Sequence, residues 1–128
     1  MAYWDDDLTR SVVSYADEKG VPVICCAGNT GWDIVLWHYT PANISSTISV
    51  TATNKKNRIC YWSNSGLNVD LSAPGENVNV TVPNNRYDVW GGTSFASPFV
   101  AASFATVKSI HYDYSYDKIE YMLKKIYR

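Results

Sequence analysis

The segment from Ser94 to His111 constrains the fold more than any other. Ala96, Phe99, Val100, Ala101, Ala102, Phe104, Ala105 and Val107 spread around most of a helical circumference. A helix apolar on nearly every side is expected to be central and buried, so the rest of the chain must supply elements that cover it. The length allows this: a chain of 128 residues is about one ordinary domain and hides roughly two-thirds of its unfolded surface on folding. Residues 1–128 read as a single unit, because no repeat or low-complexity linker divides them.

The covering elements follow from periodicity. Between Asp7 and Gly20, Leu8, Val12, Tyr15 and Ala16 recur at helical spacing, with acidic residues at the start and glycine at the stop, which predicts an amphipathic helix. Val21 to Ala27 is a short apolar run ended by Gly28-Asn29-Thr30-Gly31, and suits a strand buried on both faces. Ile48 to Thr53 and Val69 to Ser72 read as further strands. Asn77 to Val82 and Tyr87 to Trp90 flank Pro83-Asn84-Asn85 as a hairpin. Tyr116 to Tyr127 closes the chain as a surface helix with Ile119, Met122, Leu123 and Ile126 on one stripe. A helix followed by buried strands predicts an α/β protein with a parallel sheet.

Charge narrows the partners. Twelve acidic against eleven basic side chains, net -1, leave no field for nucleic acid or an anionic membrane. No apolar run approaches the ~20 residues of a membrane span, and Met1 to Asp7 carries three acids where a signal peptide carries basic residues. The chain is therefore expected neither to insert nor to export itself. Cys25, Cys26 and Cys60 are too few and odd in number for a disulfide framework, and no zinc-ligand spacing occurs. Adjacent Cys25 and Cys26 point to opposite faces of a strand and read as small core residues.

One stretch can carry chemistry. Gly91-Gly92-Thr93-Ser94-Phe95-Ala96-Ser97-Pro98 delivers a serine to the opening turn of the apolar helix, because Pro98 is tolerated only near a helix start. A hydroxyl there meets the positive end of the helix dipole and free N–H groups, which favour a nucleophile and the oxyanion it creates. Serine is equally a common N-cap. The second stretch, Ala27-Gly28-Asn29, ends a buried strand at its carboxyl side, where open α/β sheets bind ligands, although asparagine after glycine is also ordinary turn chemistry.

Taken in order, these pieces resemble the subtilisin-like serine proteases, the subtilases, across nearly the whole chain. VPVICCAGNTG is similar to the family's strand ending in the oxyanion-hole asparagine, and YTPANISSTISVTATN to the loop and strand that follow. YWSNSGLNVDLSAPG is similar to its F-S-S-x-G and D-x-x-A-P-G segment, and GTSFASPFVAA to the nucleophile motif G-T-S-x-A-S-P. The chain departs at Phe99, usually histidine, and at Ala102, usually glycine.

The resemblance implies a partial subtilisin-like fold, a three-layer α/β/α half that carries the nucleophile helix. It implies Ser94 as nucleophile, with Asn29 and the Ser94 N–H as oxyanion donors. Cys26, Ala27 and Gly28 are implied as a wall of the pocket for the substrate side chain before the scissile bond. The implied partner is a peptide or protein, and no cofactor is implied. The family's Asp and His precede this region, and neither D-[ST]-G nor H-G-T-H occurs here. His111 lies 17 residues past Ser94 on one helix, roughly 25 Å away, and His38 falls in the loop after the oxyanion asparagine. The chain is therefore expected to be inactive alone and to need an N-terminal half, or to associate through the open edge of its sheet. The competing expectation is a non-catalytic module that only folds or associates. Secreted relatives and unpaired cysteines point to different compartments, so the compartment stays open. A nucleophile elbow lacks an acid and histidine downstream in that order, and no phosphate-loop pattern is present.

Overall fold

The computed structural model describes residues 7–126. The acidic start over residues 1–6 and Tyr127, read as part of the last helix, lie outside them. Eight elements follow one another: α1 (Asp7–Glu18), β1 (Val23–Cys26), β2 (Thr47–Thr53), β3 (Leu71–Pro74), β4 (Val78–Val82), β5 (Arg86–Trp90), α2 (Thr93–Ile110) and α3 (Tyr116–Lys124). Each predicted helix and strand is present with shifted ends. The third strand moves toward Pro74 because Val69 N–H turns back to Gly66 O, while Asp70 N–H joins Ser49 O.

β1, β2 and β3 form a parallel sheet in that order, with Ile24 beside Ile48 and Val50 beside Leu71. The central strand β2 is buried at every position. Its alternate residues divide two environments. Ile48, Val50 and Ala52 join Leu71, Ala73, Ala96, Val100, Phe104, Ile119 and Leu123 in one apolar core. The intervening Thr47, Ser49 and Thr51 donate to the carbonyls of Ile44, Asn68 and Asn64, so loops tied by hydrogen bonds cover that face. Buried hydroxyls without such acceptors would each cost about 1–3 kcal/mol.

Helix α2 lies across β1, β2 and β3 and against α3. Its burial departs from the expected central helix: Thr93, Ala96, Val100 and Phe104 form one buried stripe, while Phe99, Ala101, Ala102 and Ala105 are exposed. The reason is coverage, since the sheet and α3 occupy one side of it among the described residues. Helix α1 buries little of its apolar stripe. Val13 is buried, whereas Leu8, Val12 and Tyr15 are exposed, because α1 meets the sheet chiefly at β1 and is tethered by the Tyr116 hydroxyl on Asp17 Oδ1.

Strand β1 is half-buried along its length, not buried on both faces. It stands at the edge of the sheet, so Cys25 and Cys26 are only partly buried, Cys25 packing against the small core of Ala27, Ile34 and Ala42, and the more deeply buried thiol is Cys60. Burial still pushes the Cys25 thiol up to about 11. The hairpin pairs Val78 with Trp90 and Val82 with Arg86, and Asn84 and Asn85 take positive φ of 67° and 53° in its turn. α3 is N-capped by Ser115 and buries Ile119 and Leu123, while Ile126 beyond its end is exposed.

Candidate active site

The loop after β1 and the start of α2 meet at the carboxyl end of the sheet, where a cavity of about 390 Å³ opens. Cys26, Gly28, Asn29, Tyr39, Thr93 and Ser94 are among the residues that line it. Of Cys26, Ala27 and Gly28, the residues expected to wall a substrate pocket, Cys26 and Gly28 line this cavity. Ala27 does not: strand alternation turns its fully buried side chain into a second core with Ile34 and Ala42. A second cavity of about 350 Å³, between Leu67, Asp70 and Lys124, contains none of the expected site residues.

The N-cap of α2 is Gly92, with no side-chain capping bond, and Thr93 and Ser94 are the first helical residues. The Ser94 hydroxyl is therefore not spent on capping. It is exposed and its closest hydrogen-bonding partner is the Cys26 thiol, 3.9 Å from Oγ to Sγ. The Ser94 N–H belongs to the first turn, where no intrahelical acceptor exists, and so faces the dipole's positive end outward. Gly92 takes φ 155°, and an added Cβ there would sit 3.3 Å from Asn29 Nδ2, which shows how closely the helix start and the asparagine approach.

Thr93 orients Asn29. Its N–H and its hydroxyl both donate to Asn29 Oδ1 at 2.8 Å. A backbone N–H can only donate, so the atom it meets must be the amide oxygen. The Asn29 group left for an added oxygen is Nδ2. Gly28 N–H closes the link by donating to Thr93 Oγ1 at 3.1 Å. Thr93 was part of the sequence motif without an assigned task.

Asn64 was not singled out from the sequence at all. It is fully buried, and its side chain holds the Ala27–Trp32 turn by four bonds. A loop asparagine has no periodic signal that separates it from an ordinary turn residue, and only the folded contacts disclose it. No base stands beside Ser94 among the described residues. His38 is an exposed loop residue with φ 47°, and His111 caps the far end of α2, stacked on Tyr114 at 4.4 Å; neither lines the cavity.

Such an arrangement can present a hydroxyl and two N–H donors to one carbonyl, the requirement for stabilising an oxyanion. Comparison with known proteins identifies the family. The subtilase family model, Peptidase S8, matches residues 3–126. The minor extracellular protease Epr of Bacillus subtilis is 38% identical over 104 residues, 81% of this chain and 16% of its own length. Subtilisin BL of Lederbergia lenta is 35% identical over 115 residues, 90% of this chain and 42% of its own. Among solved structures, a cold adapted subtilisin-like serine proteinase superposes with TM-score 0.90 at 26% identity, over 98% of this chain and 45% of that one. A protease of Pseudoalteromonas arctica PAMC 21717 gives 0.91 at 27% identity, over 100% and 42%. The chain thus spans less than half the length of each of these proteins, and over that span its parallel sheet and helices are a partial subtilisin-like α/β fold. The subtilase motifs, the family-model match and the shared fold together place the chain in the subtilase family of serine proteases, peptidase family S8.

Proposed function

We propose that residues 1–128 form one partial domain of a serine endopeptidase, supplying the nucleophile and the oxyanion hole for peptide-bond hydrolysis. The observation that carries this reading is the uncapped, exposed Ser94 at the start of α2 beside an Asn29 amide whose oxygen Thr93 already holds. In the reaction, Ser94 Oγ bonds to the substrate's carbonyl carbon as its proton passes to a histidine base. The carbonyl oxygen, now anionic, takes hydrogen bonds from Asn29 Nδ2 and the Ser94 N–H. Collapse expels the amine with that proton, and water releases the acyl group from Ser94 by the same steps in reverse order. Cys26 and Gly28 line the space for the side chain before the scissile bond, with Ala27 supporting them from behind.

The histidine and its aspartate come, in this proposal, from a segment carrying the family's D-[ST]-G and H-G-T-H motifs. The exposed apolar side of α2 and the open edge of β1 are surfaces such a segment can cover; without it, self-association through that edge is the expected substitute. The absence of a base beside Ser94 among the described residues favours a second reading, a non-catalytic module that folds or associates.

A fluorophosphonate probe separates the two. Alone, the chain is expected to stay unlabelled by intact mass, since loss of a triad member in this class removes on the order of 10⁴ to 10⁶ of the rate. Joined to a segment bearing both motifs, it should label once, at Ser94, and cleave peptides; continued inertness of a folded assembly would establish the non-catalytic reading. In that assembly Asn29→Ala should lower kcat roughly 10²- to 10³-fold with KM little changed, a magnitude carried over from subtilisin's own oxyanion asparagine.

A further inference from the structure

The amide of Asn64 is engaged at both its nitrogen and its oxygen. Its Nδ2 donates to Ala27 O at 2.9 Å. Its Oδ1 accepts from Thr30 N–H at 3.0 Å, Thr30 Oγ1 at 2.8 Å and Trp32 N–H at 3.0 Å. These partners stand before and after Gly28 and Asn29, so one side chain clasps both ends of the turn that carries Asn29. Asn64 is itself fixed, since its N–H donates to Gly28 O at 2.9 Å and its carbonyl accepts from Thr51 Oγ1, on the central strand, at 2.8 Å. No slack remains: a Cβ on Gly28 would come within 2.5 Å of Asn64 Nδ2.

We propose that Asn64 is a positioning residue for the oxyanion hole, setting where Asn29 Nδ2 points by holding the turn around it. The proposal rests on Asn29 as oxyanion donor. A planar amide suits the task because it offers a donor and an acceptor in one rigid group. Alanine leaves Ala27 O and the Thr30 and Trp32 N–H groups without their partner. Aspartate keeps the acceptor for Thr30 and Trp32 but sets an oxygen against Ala27 O. Asn29 is held from both directions, by Thr93 through its side chain and by Asn64 through its backbone, and an oxyanion donor must be pre-organised in this way to act on the transition state.

Two measurements test this. On the chain by itself, Asn64→Ala is expected to speed hydrogen exchange at the Thr30 and Trp32 amides by about tenfold or more, while the Val50 and Ala52 amides of β2 keep their protection. Equal acceleration at all four amides, or none at Thr30 and Trp32, overturns local positioning. In the protease assembled with the segment that supplies Asp and His, kcat is read per site titrated with a fluorophosphonate, which discounts unfolded molecules. Asn64→Ala should lower it on the order of 10²-fold, the cost of a roughly 1 Å misplacement, with KM within about twofold. Asn64→Asp should lose less, and it carries the same comparison where the alanine variant does not fold. A purely structural asparagine moves the melting temperature and the titrated fraction, not kcat per site.

The double-mutant cycle with Asn29→Ala decides the route. Asn64→Ala acting through Asn29 has no further effect on kcat in that background. The same fold-loss in both backgrounds overturns the proposal while leaving the oxyanion reading intact. An Asn29→Ala variant with unchanged kcat removes the oxyanion reading and the proposal with it.

Discussion

Strands β1 and β2 lie side by side, and their burial reverses the order that their side chains suggest. β1, VICC, is the more apolar and is half-exposed throughout. β2, TISVTAT, carries hydroxyls at every second position and is buried at all of them. Position explains the reversal. β2 is paired on both sides and sandwiched between α2 and the loops, whereas among the described residues β1 has a neighbour on one side only. The hydroxyls of Thr47, Ser49 and Thr51 are admitted to the interior because each finds a backbone acceptor, and the same bonds fasten the loops that cover the sheet. One of those bonds runs from Thr51 to Asn64 and so toward the turn bearing Asn29. The interior strand fixes the site; the edge strand ends in it.

The largest expected contrast is between equivalent isoleucines, paired in register as Ile24 and Ile48. Ile48→Ala should cost about 2–5 kcal/mol in chemical denaturation. Ile24→Ala, on the half-exposed strand, should cost nearer to ~1 kcal/mol. Equal losses would break the distinction between interior and edge. Next in size, Thr51→Val keeps the shape but removes the bonds to Asn64 O and Ser63 Oγ, and an expected loss of about 1–3 kcal/mol marks the hydroxyl as structural. A denaturation midpoint unchanged by Thr51→Val would mean that burial, without the bond, suffices.

The third test uses pH. Burial raises the Cys25 thiol from 9.0 to about 11, so the folded chain keeps a proton that the unfolded chain gives up. The resulting stability is complete below pH 9.0 and is lost as pH rises toward about 11. Unfolding midpoints followed over that window should fall more steeply for the natural chain than for Cys25→Ala; parallel slopes would show that Cys25 is as solvated as an edge position allows. The smallest effect belongs to Cys26→Ala, whose side chain faces the cavity. Its stability change should stay within about 0.5 kcal/mol by thermal unfolding, and a larger loss would assign that end of β1 to the core.

Much of the fold was legible from local signals. Glycine and asparagine marked the hairpin turn and the end of β1, Pro98 pointed to a start of α2 near Ser94 although it falls in the helix's second turn rather than its first, and period-2 and period-3.6 patterns located the elements. The outward turn of Leu8, Val12 and Tyr15 was not legible, because periodicity identifies an apolar stripe without saying what it meets. Ala27 was taken for a cavity wall and faces the core, a consequence of one step in strand alternation. Ser94 and Asn29 were singled out through motif and position, and the fold brings both to the lining of one cavity. Asn64 was missed because its significance lies in bonds to residues more than thirty positions away.

The sequence alone determined the kinds of element, their order, the family, and the presence of a serine at a helix start with an asparagine after a strand. These depend on local backbone preferences and on motifs that can be read without coordinates. Tertiary structure alone decided which strand is interior, which thiol is buried, and which oxygen of which side chain holds Asn29. Such matters follow from which groups are brought together and cut off from water. A buried donor must find an acceptor wherever the chain supplies one, irrespective of distance along the sequence.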